Sequence, residues 1–386
     1  MESQEFVTLT VDHLLKLKAA KNFYENSQPI TSLDFDNTGE FCVTASADDS
    51  INLYNCLQGR HKKLLYSKKF GIHLTRFTHL NTNIIYASTK ENDTIRYLSL
   101  HVNQYIRYFE GHQNRVVSLE MSPSNDLFLS GSINEGVKLW DLRQPNEIGY
   151  LHVQAGRPCV AFDPSGRVFA IGLQNLDNSV RLYDVRQYDK APFSTFNVFD
   201  SYMAPSIYPN PPIFPEWTGL KFSNDDDKIL ITTAGDVHYI IHAHTGELKA
   251  RLVGHVGLNN LSSFLGGEET SFTPDGRYVI AGSQDGQINF WDTGTSLSTS
   301  AIISDGIDLR PIHTLEHHVR PTQVVRFNPA RLMVVSACTD LAFWLPSIDT
   351  EESDNVSEPD NVSEQHQDVG TGVTVPNMEN GHTNVE

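Results

Sequence analysis

Cysteine is scarce in this chain, and long apolar runs are missing. The 386 residues include four cysteines, Cys42, Cys56, Cys159 and Cys338. Their spacing fits neither a metal site nor a disulfide framework, so reduced core thiols are expected. No stretch is apolar for long enough to cross a bilayer and no signal peptide is evident, which predicts a soluble, intracellular chain without a membrane partner. Cations are also few: 29 Lys and Arg stand against 47 Asp and Glu, for a formal net charge of -18. General nucleic-acid binding needs clustered cations to displace counterions, and this balance argues against it. The basic pairs Lys62-Lys63 and Lys68-Lys69 do not make an import signal. No Gly-rich phosphate loop, nucleophile elbow or paired-carboxylate constellation stands out, so no catalytic residue, cofactor or metal is expected.

What is present is a repeat. A Gly-His pair, an alternating apolar stretch with turns, and a closing Trp-Asp run from Gly111-His112 to Trp140-Asp141 and again from Gly254-His255 to Trp291-Asp292. Weaker endings occur at Tyr54-Asn55, Leu98-Ser99, Tyr183-Asp184, Ile241-His242 and Trp344-Leu345. Seven units of roughly 40 to 45 residues, each able to supply four short strands, predict an all-β, seven-bladed WD-repeat β-propeller. In the third unit the strands are expected at residues 116–121, 127–132, 137–141 and 148–153. Runs such as Leu127-Phe128-Leu129 are apolar on both faces because each blade is sandwiched between two neighbours. Gly136 stands where a positive φ suits the turn before the tryptophan strand.

Six residues before five of the seven Trp-Asp equivalents stands a carboxylate or amide: Asp48, Asn92, Asn134, Asp177 and Asp285. In the two full copies, His112, Asn134 and Trp140, and likewise His255, Asp285 and Trp291, can satisfy one another's polar groups inside the blade. An unpaired buried polar group costs about 1–3 kcal/mol, so a structural staple is the preferred reading over a catalytic one.

The seventh unit ends after its third strand. The N-terminal segment from Leu14 through Glu25 precedes the first unit much as Tyr108-Phe109-Glu110 precedes the third, and it is expected to supply the missing strand and close the ring. Residues 1–348 are therefore assigned to the propeller and 349–386 to a tail. That tail holds ten carboxylates and no Lys or Arg, leaving -8 for the rest. It repeats Asp354-Asn355-Val356-Ser357-Glu358 as Asp360-Asn361-Val362-Ser363-Glu364 and is expected to be disordered.

Partner contacts are expected in two places. The Pro- and aromatic-rich insertion from Ser201 to Trp217 offers Tyr208, Phe214 and Trp217, as a stiff exposed loop or as one folded over the blade edge. Loops leading into the first strands place His73, Arg115, Thr218 and Gln323 around one mouth of the channel, where Arg115 can pair with a carboxylate or phosphate. His238, His242 and His244 form a weak metal-ligand pattern, and His317-His318 a weaker one.

Several stretches outside the generic repeat carry a narrower resemblance. They include Tyr66-Ser67-Lys68-Lys69-Phe70-Gly71, Asp93-Thr94-Ile95-Arg96-Tyr97-Leu98-Ser99-Leu100-His101, Tyr105-Ile106-Arg107-Tyr108-Phe109, Arg181-Leu182-Tyr183-Asp184-Val185-Arg186, Glu216 through Asn224, and Leu341-Ala342-Phe343-Trp344-Leu345-Pro346. Over residues 13–349 the chain resembles the WD-repeat-containing protein 82 family, the WD-repeat subunit shared by the COMPASS histone-lysine methyltransferase and the cleavage and polyadenylation factor. It departs from that pattern in the Pro-rich insertion, the Asn134-Glu135 turn and the acidic tail.

The resemblance implies a nuclear, noncatalytic adaptor. The implied partners are the methyltransferase catalytic subunit and other COMPASS subunits, cleavage/polyadenylation factor and protein phosphatase scaffold subunits, and the phosphorylated C-terminal repeats of RNA polymerase II.

Overall fold

The computed structural model describes residues 8–153, 156–174, 178–200, 215–258, 270–294 and 306–347. Their strands form seven separate antiparallel-based sheets, the blades of a propeller. In blade three the strands are Val116–Met121, Leu127–Ser132, Gly136–Asp141 and Gly149–His152. The first two coincide with the expected ranges. The third starts one residue early at Gly136, whose φ of 139° follows Asn134 at 55°, so the turn uses two residues of positive φ.

Burial explains the double-sided apolar pattern. Every residue of Phe41–Ser46, Ser50–Asn55 and Gly136–Asp141 is buried. The outermost strand Arg60–Tyr66 instead alternates exposed and half-buried positions. Inner strands face neighbouring blades on both sides, while the outer strand meets solvent on one. The core is accordingly divided into wedges. One cluster joins Phe162 and Tyr183 of blade four to Leu139 of blade three, and another joins Cys159 and Ala170 to Tyr239 of blade five.

Tight reversals between first and second strands recur in the same chemistry. Asp36 Oδ1 accepts from the Phe41 amide at 2.7 Å, and Asp163 Oδ1 from the Val168 amide at 2.8 Å. Gly166, at φ 68°, lies against blade three, where an added Cβ would collide with Ser124 Oγ.

The ring closes with a borrowed strand. Leu17–Phe23 pairs antiparallel with Leu341–Pro346, Leu17 opposite Pro346 and Phe23 opposite Leu341. The Phe23 ring lies 4.8 Å from Tyr54 of blade one and 5.0 Å from Phe343 of blade seven, joining first blade to last. Leu14 precedes this strand in a single helical turn, Val11–Leu15, which buries Leu14 and leaves Leu15 exposed.

Blade five has a fifth strand. Ile307–Leu309, from the connection between the third and fourth strands of blade six, runs parallel to Leu248–Val253. Arg251 holds it, with Nε 2.6 Å from Asp308 and Nη1 3.1 Å from the buried Asp200. A three-residue strand between polar loops has too little periodicity to be recognised from sequence.

Candidate partner-binding surface

The blade staples determine how rigidly the loops are presented. In blade three, the Trp140 indole N–H donates to Ser130 Oγ at 2.8 Å, and His112 Nε2 lies 2.6 Å from the same hydroxyl. His112 Nδ1 faces Glu135 Oε2 at 3.0 Å. The carboxylate requires a donor, so Nδ1 carries the proton and Nε2 accepts from the serine hydroxyl. Burial lowers the His112 pKa, against the opposing pull of Glu135. The relay is therefore built on a neutral ring rather than an ion pair.

Burial tends to raise the Glu135 pKa, but hydrogen bonds from His112 and the Gln113 amide outweigh it and hold the carboxyl low. The expected member Asn134 is not the acceptor. Its backbone takes the left-handed turn and its amide donates to Gly156 O at 3.0 Å, leaving the longer Glu135 side chain to reach the histidine.

Blade six does not build this relay. Trp291 Nε1 donates to Val253 O and His255 Nε2 to Gly235 O, each at 3.1 Å, while Asp285 accepts from the Gln287 amide. The reason is one hydroxyl. Phe128 pairs with Trp140 and Val279 with Trp291, so Ala281 occupies the place of Ser130 and cannot bridge. His255 instead stacks on His238, ring centroids 4.2 Å apart.

Blade seven has a relay that the Gly-His pattern missed. His318 Nε2 and Trp344 Nε1 both meet Ser336 Oγ at 2.7 Å, and His318 Nδ1 faces Cys338 Sγ at 3.3 Å. The signal was available as Glu316-His317-His318 beside Glu110-Gly111-His112, with histidine in place of glycine.

The His238, His242 and His244 trio is split. His238 is buried against His255, and four residues along a strand separate it from His242 by about 13 Å. His242 accepts from the His244 amide at 3.1 Å and lies 3.3 Å from Asp227. Among the described residues no group of three or more His, Cys, Asp or Glu could hold a metal ion.

Of the residues expected at the channel mouth, His73, Thr218 and Gln323 are buried at the starts of inner strands. Trp217 is 1 % exposed and belongs to the wedge between blades four and five, so it is a packing residue rather than a displayed one. Its position one residue into an inner strand explains this: that strand faces two blades. Tyr208, Phe214, Asp177 and the acidic tail lie outside the described residues.

Arg115 is half-buried, with charges of both signs acting on it. Burial lowers its pKa, the charge of Arg157 lowers it further, and Asp93 opposes both. Burial likewise raises the Asp93 carboxyl, with Arg115 pulling it back and Glu135 adding to the rise. Arg157 comes from the loop leading into blade four, as Arg115 does for blade three, and was missed because Pro158 interrupts the apolar pattern. The two guanidiniums repel each other, and Arg157 is buried.

Charged side chains also reach between blades: Arg76 Nε lies 3.6 Å from Glu120, Arg326 Nη1 lies 3.0 Å from Asp34, and Lys221 Nζ donates to the Thr270 carbonyl at 2.6 Å. Burial raises the Glu120 carboxyl, opposed by the cations around it. These contacts tie blade two to three, seven to one and five to six.

Comparison with known proteins agrees with this architecture. The WD domain, G-beta repeat family matches residues 18–55, 103–141, 152–184 and 246–292. Units two, five and seven, with their degenerate endings, fall outside those ranges. WD repeat-containing protein 82 of Drosophila melanogaster is 41 % identical over 330 residues, 86 % of this chain and 94 % of that protein. COMPASS component SWD2 of Saccharomyces cerevisiae is 35 % identical over 346 residues, 88 % of this chain and 98 % of that protein. Set1 complex component swd2 of Schizosaccharomyces pombe is 32 % identical over 370 residues, 88 % of this chain and 99 % of that protein. A chain that spans these relatives nearly end to end, at 32 to 41 % identity, belongs to the WD repeat-containing protein 82 family.

Proposed function

We propose that this protein is a noncatalytic scaffold subunit of a COMPASS-type histone-lysine methyltransferase complex, acting in the nucleus on lysine 4 of histone three and linking the complex to transcribing RNA polymerase II. The observation that carries the reading is end-to-end likeness to relatives named as components of COMPASS and of the Set1 complex. The geometry supports it. Stapled blades hold the loops still, and inner charged side chains tie neighbouring blades together. Such a ring binds through a few anchors on its loops.

The Arg115 and Arg157 pair favours a partner that brings negative charge to the rim of blades three and four. That favours direct reading of phosphorylated polymerase repeats as the second possibility. Membership of the cleavage/polyadenylation and phosphatase-linked termination machinery is the third.

Affinity purification of the endogenous protein with mass spectrometry tests all three. Recovery of methyltransferase and COMPASS subunits is the expected outcome, with a double Arg115→Ala, Arg157→Ala variant losing polymerase but keeping the methyltransferase. Recovery of cleavage and phosphatase subunits alone would overturn the methyltransferase reading.

A further inference from the structure

The outer wall of blade one carries the densest positive charge in an acidic protein. Residues 60–69 hold Arg60, Lys62, Lys63, Lys68 and Lys69 and no carboxylate, five of the chain's 29 cations. In the outermost strand Arg60–Tyr66, alternation turns Arg60, Lys62, Leu64 and Tyr66 to solvent. Lys63 points the other way, and its ammonium donates to Leu100 O at 2.7 Å and His101 O at 3.1 Å, fastening blade one to the turn of blade two.

Beside that fastening is a cavity of 340 Å³ with Phe41, Leu53 and Leu100 in its lining and Lys62 and His101 at its rim. Lys62 Nζ stands 4.2 Å over the Phe41 ring, so the cation overhangs the apolar lining. The two turns that supply Asn81 and His101 also carry Leu80 and Val102, 58 % and 56 % exposed. A volume in the range of small ligand sites, about 300–1,000 Å³, with three apolar side chains in its lining and Lys62, Lys63, Asn81, Thr82 and His101 around them, fits one aliphatic side chain flanked by carboxylates.

We propose that this cavity docks an acidic segment of a partner protein, one aliphatic side chain of which fills the space between Phe41, Leu53 and Leu100 while neighbouring carboxylates pair with Lys62 and the cations along the strand. Complementarity selects the occupant. A long polyanion such as a nucleic acid would meet the field of a chain carrying -18, whereas a short acidic stretch interacts within about 8 Å at physiological ionic strength and meets only the local patch. Lysines on an exposed edge strand repel like copies of the chain and admit a segment of opposite charge. This site lies apart from the Arg115 rim and does not depend on the function proposed for it.

The test uses the full-length protein and fluorescence anisotropy with a labelled peptide of aspartates around one central leucine. Companion probes are the same peptide with serine at the centre and a single-stranded oligothymidine. Saturable binding of the leucine peptide is expected, weaker by about tenfold or more with the serine peptide, with Lys62→Glu, and with Asn81→Trp, which fills the cavity from an exposed turn. Unchanged thermal melting of both variants separates lost binding from lost folding.

Equal affinity for leucine and serine peptides, or indifference to Asn81→Trp, would reduce the patch to a non-specific charge effect and overturn the proposal. Tighter binding of the oligonucleotide would overturn it in favour of nucleic acid.

Discussion

Blades three and six are written with the same Gly-His and Trp-Asp brackets and are held together differently. Blade three runs an unbroken relay from Glu135 through His112 and Ser130 to Trp140. Blade six satisfies His255 and Trp291 with backbone carbonyls and leaves Asp285 to cap a turn. The motif residues do not decide the network. The residue across the strand from them does, because a hydroxyl at Ser130 both accepts and donates and a methyl at Ala281 does neither. Blade seven sharpens the contrast: it lacks the Gly-His pair, yet Ser336 restores the relay through His318 and Trp344.

The largest expected effect comes from removing what blade seven borrows. Deleting residues 1–26 should abolish cooperative folding, since it unpairs Leu341–Pro346 and removes Leu14, Leu17 and Phe23 from two core wedges. Calorimetry showing a single transition at an unchanged midpoint would contradict the closure described here.

Acid should weaken blade six. Burial, with the neighbouring His255, pushes the His238 pKa well below its ordinary 6.5, and burial lowers His255 as well, against the pull of Gly235, Asp236 and Asp285. Their neutral forms stabilise the fold fully above pH 6.5, and that contribution is lost as pH falls from there through the folded-state values. Protonating either ring of the stacked pair places positive charge against the other, whereas His112 has Glu135 beside it. The Trp291 indole N–H resonance followed by NMR should shift or broaden as pH falls below 6.5, and a resonance unmoved through the acid range would refute the dependence of blade six on neutral histidines.

Ser130→Ala should destabilise the protein by about 1–3 kcal/mol by orphaning both His112 and Trp140, read from the urea midpoint. Ser336→Ala should match it in blade seven. The converse change, Ala281→Ser, should recover little, because His255 is already committed to Gly235 and His238.

The smallest effect is expected at Asp285. Asp285→Ala removes one turn hydrogen bond and should cost about 1 kcal/mol or less, whereas Glu135→Ala removes the acceptor of a buried histidine and should cost more. Equal costs in paired denaturant titrations would mean that the two carboxylates do the same work after all.

The repeat count, the fold and the borrowed closing strand were legible because they rest on periodicity and on turn residues that act locally. Strand ranges in blade three were readable nearly to the residue for the same reason. The candidate surface was legible only in part. Arg115 is half-buried beside the charges of Arg157 and Asp93, whereas Thr218, Gln323, His73 and Trp217 are buried, since position within a repeat does not say whether a side chain points along the channel or between blades. Arg157 was overlooked beside Pro158, and His318 was read as a weak metal-ligand candidate rather than a staple because a histidine in the glycine position disguised the alignment.

By itself the sequence determined that this chain makes a ring of seven four-stranded units and that its charge is concentrated at the C-terminal end and in one basic strand. Alternation, turn chemistry and composition are properties of neighbouring residues. Only the tertiary structure decided which hydroxyl meets which indole, that Ile307–Leu309 returns to pair with blade five, and that the lysines of one outer strand overhang an apolar cavity at the next blade. Each of these depends on residues from different strands being brought within a few ångströms, and packing within a blade or between neighbouring blades does so.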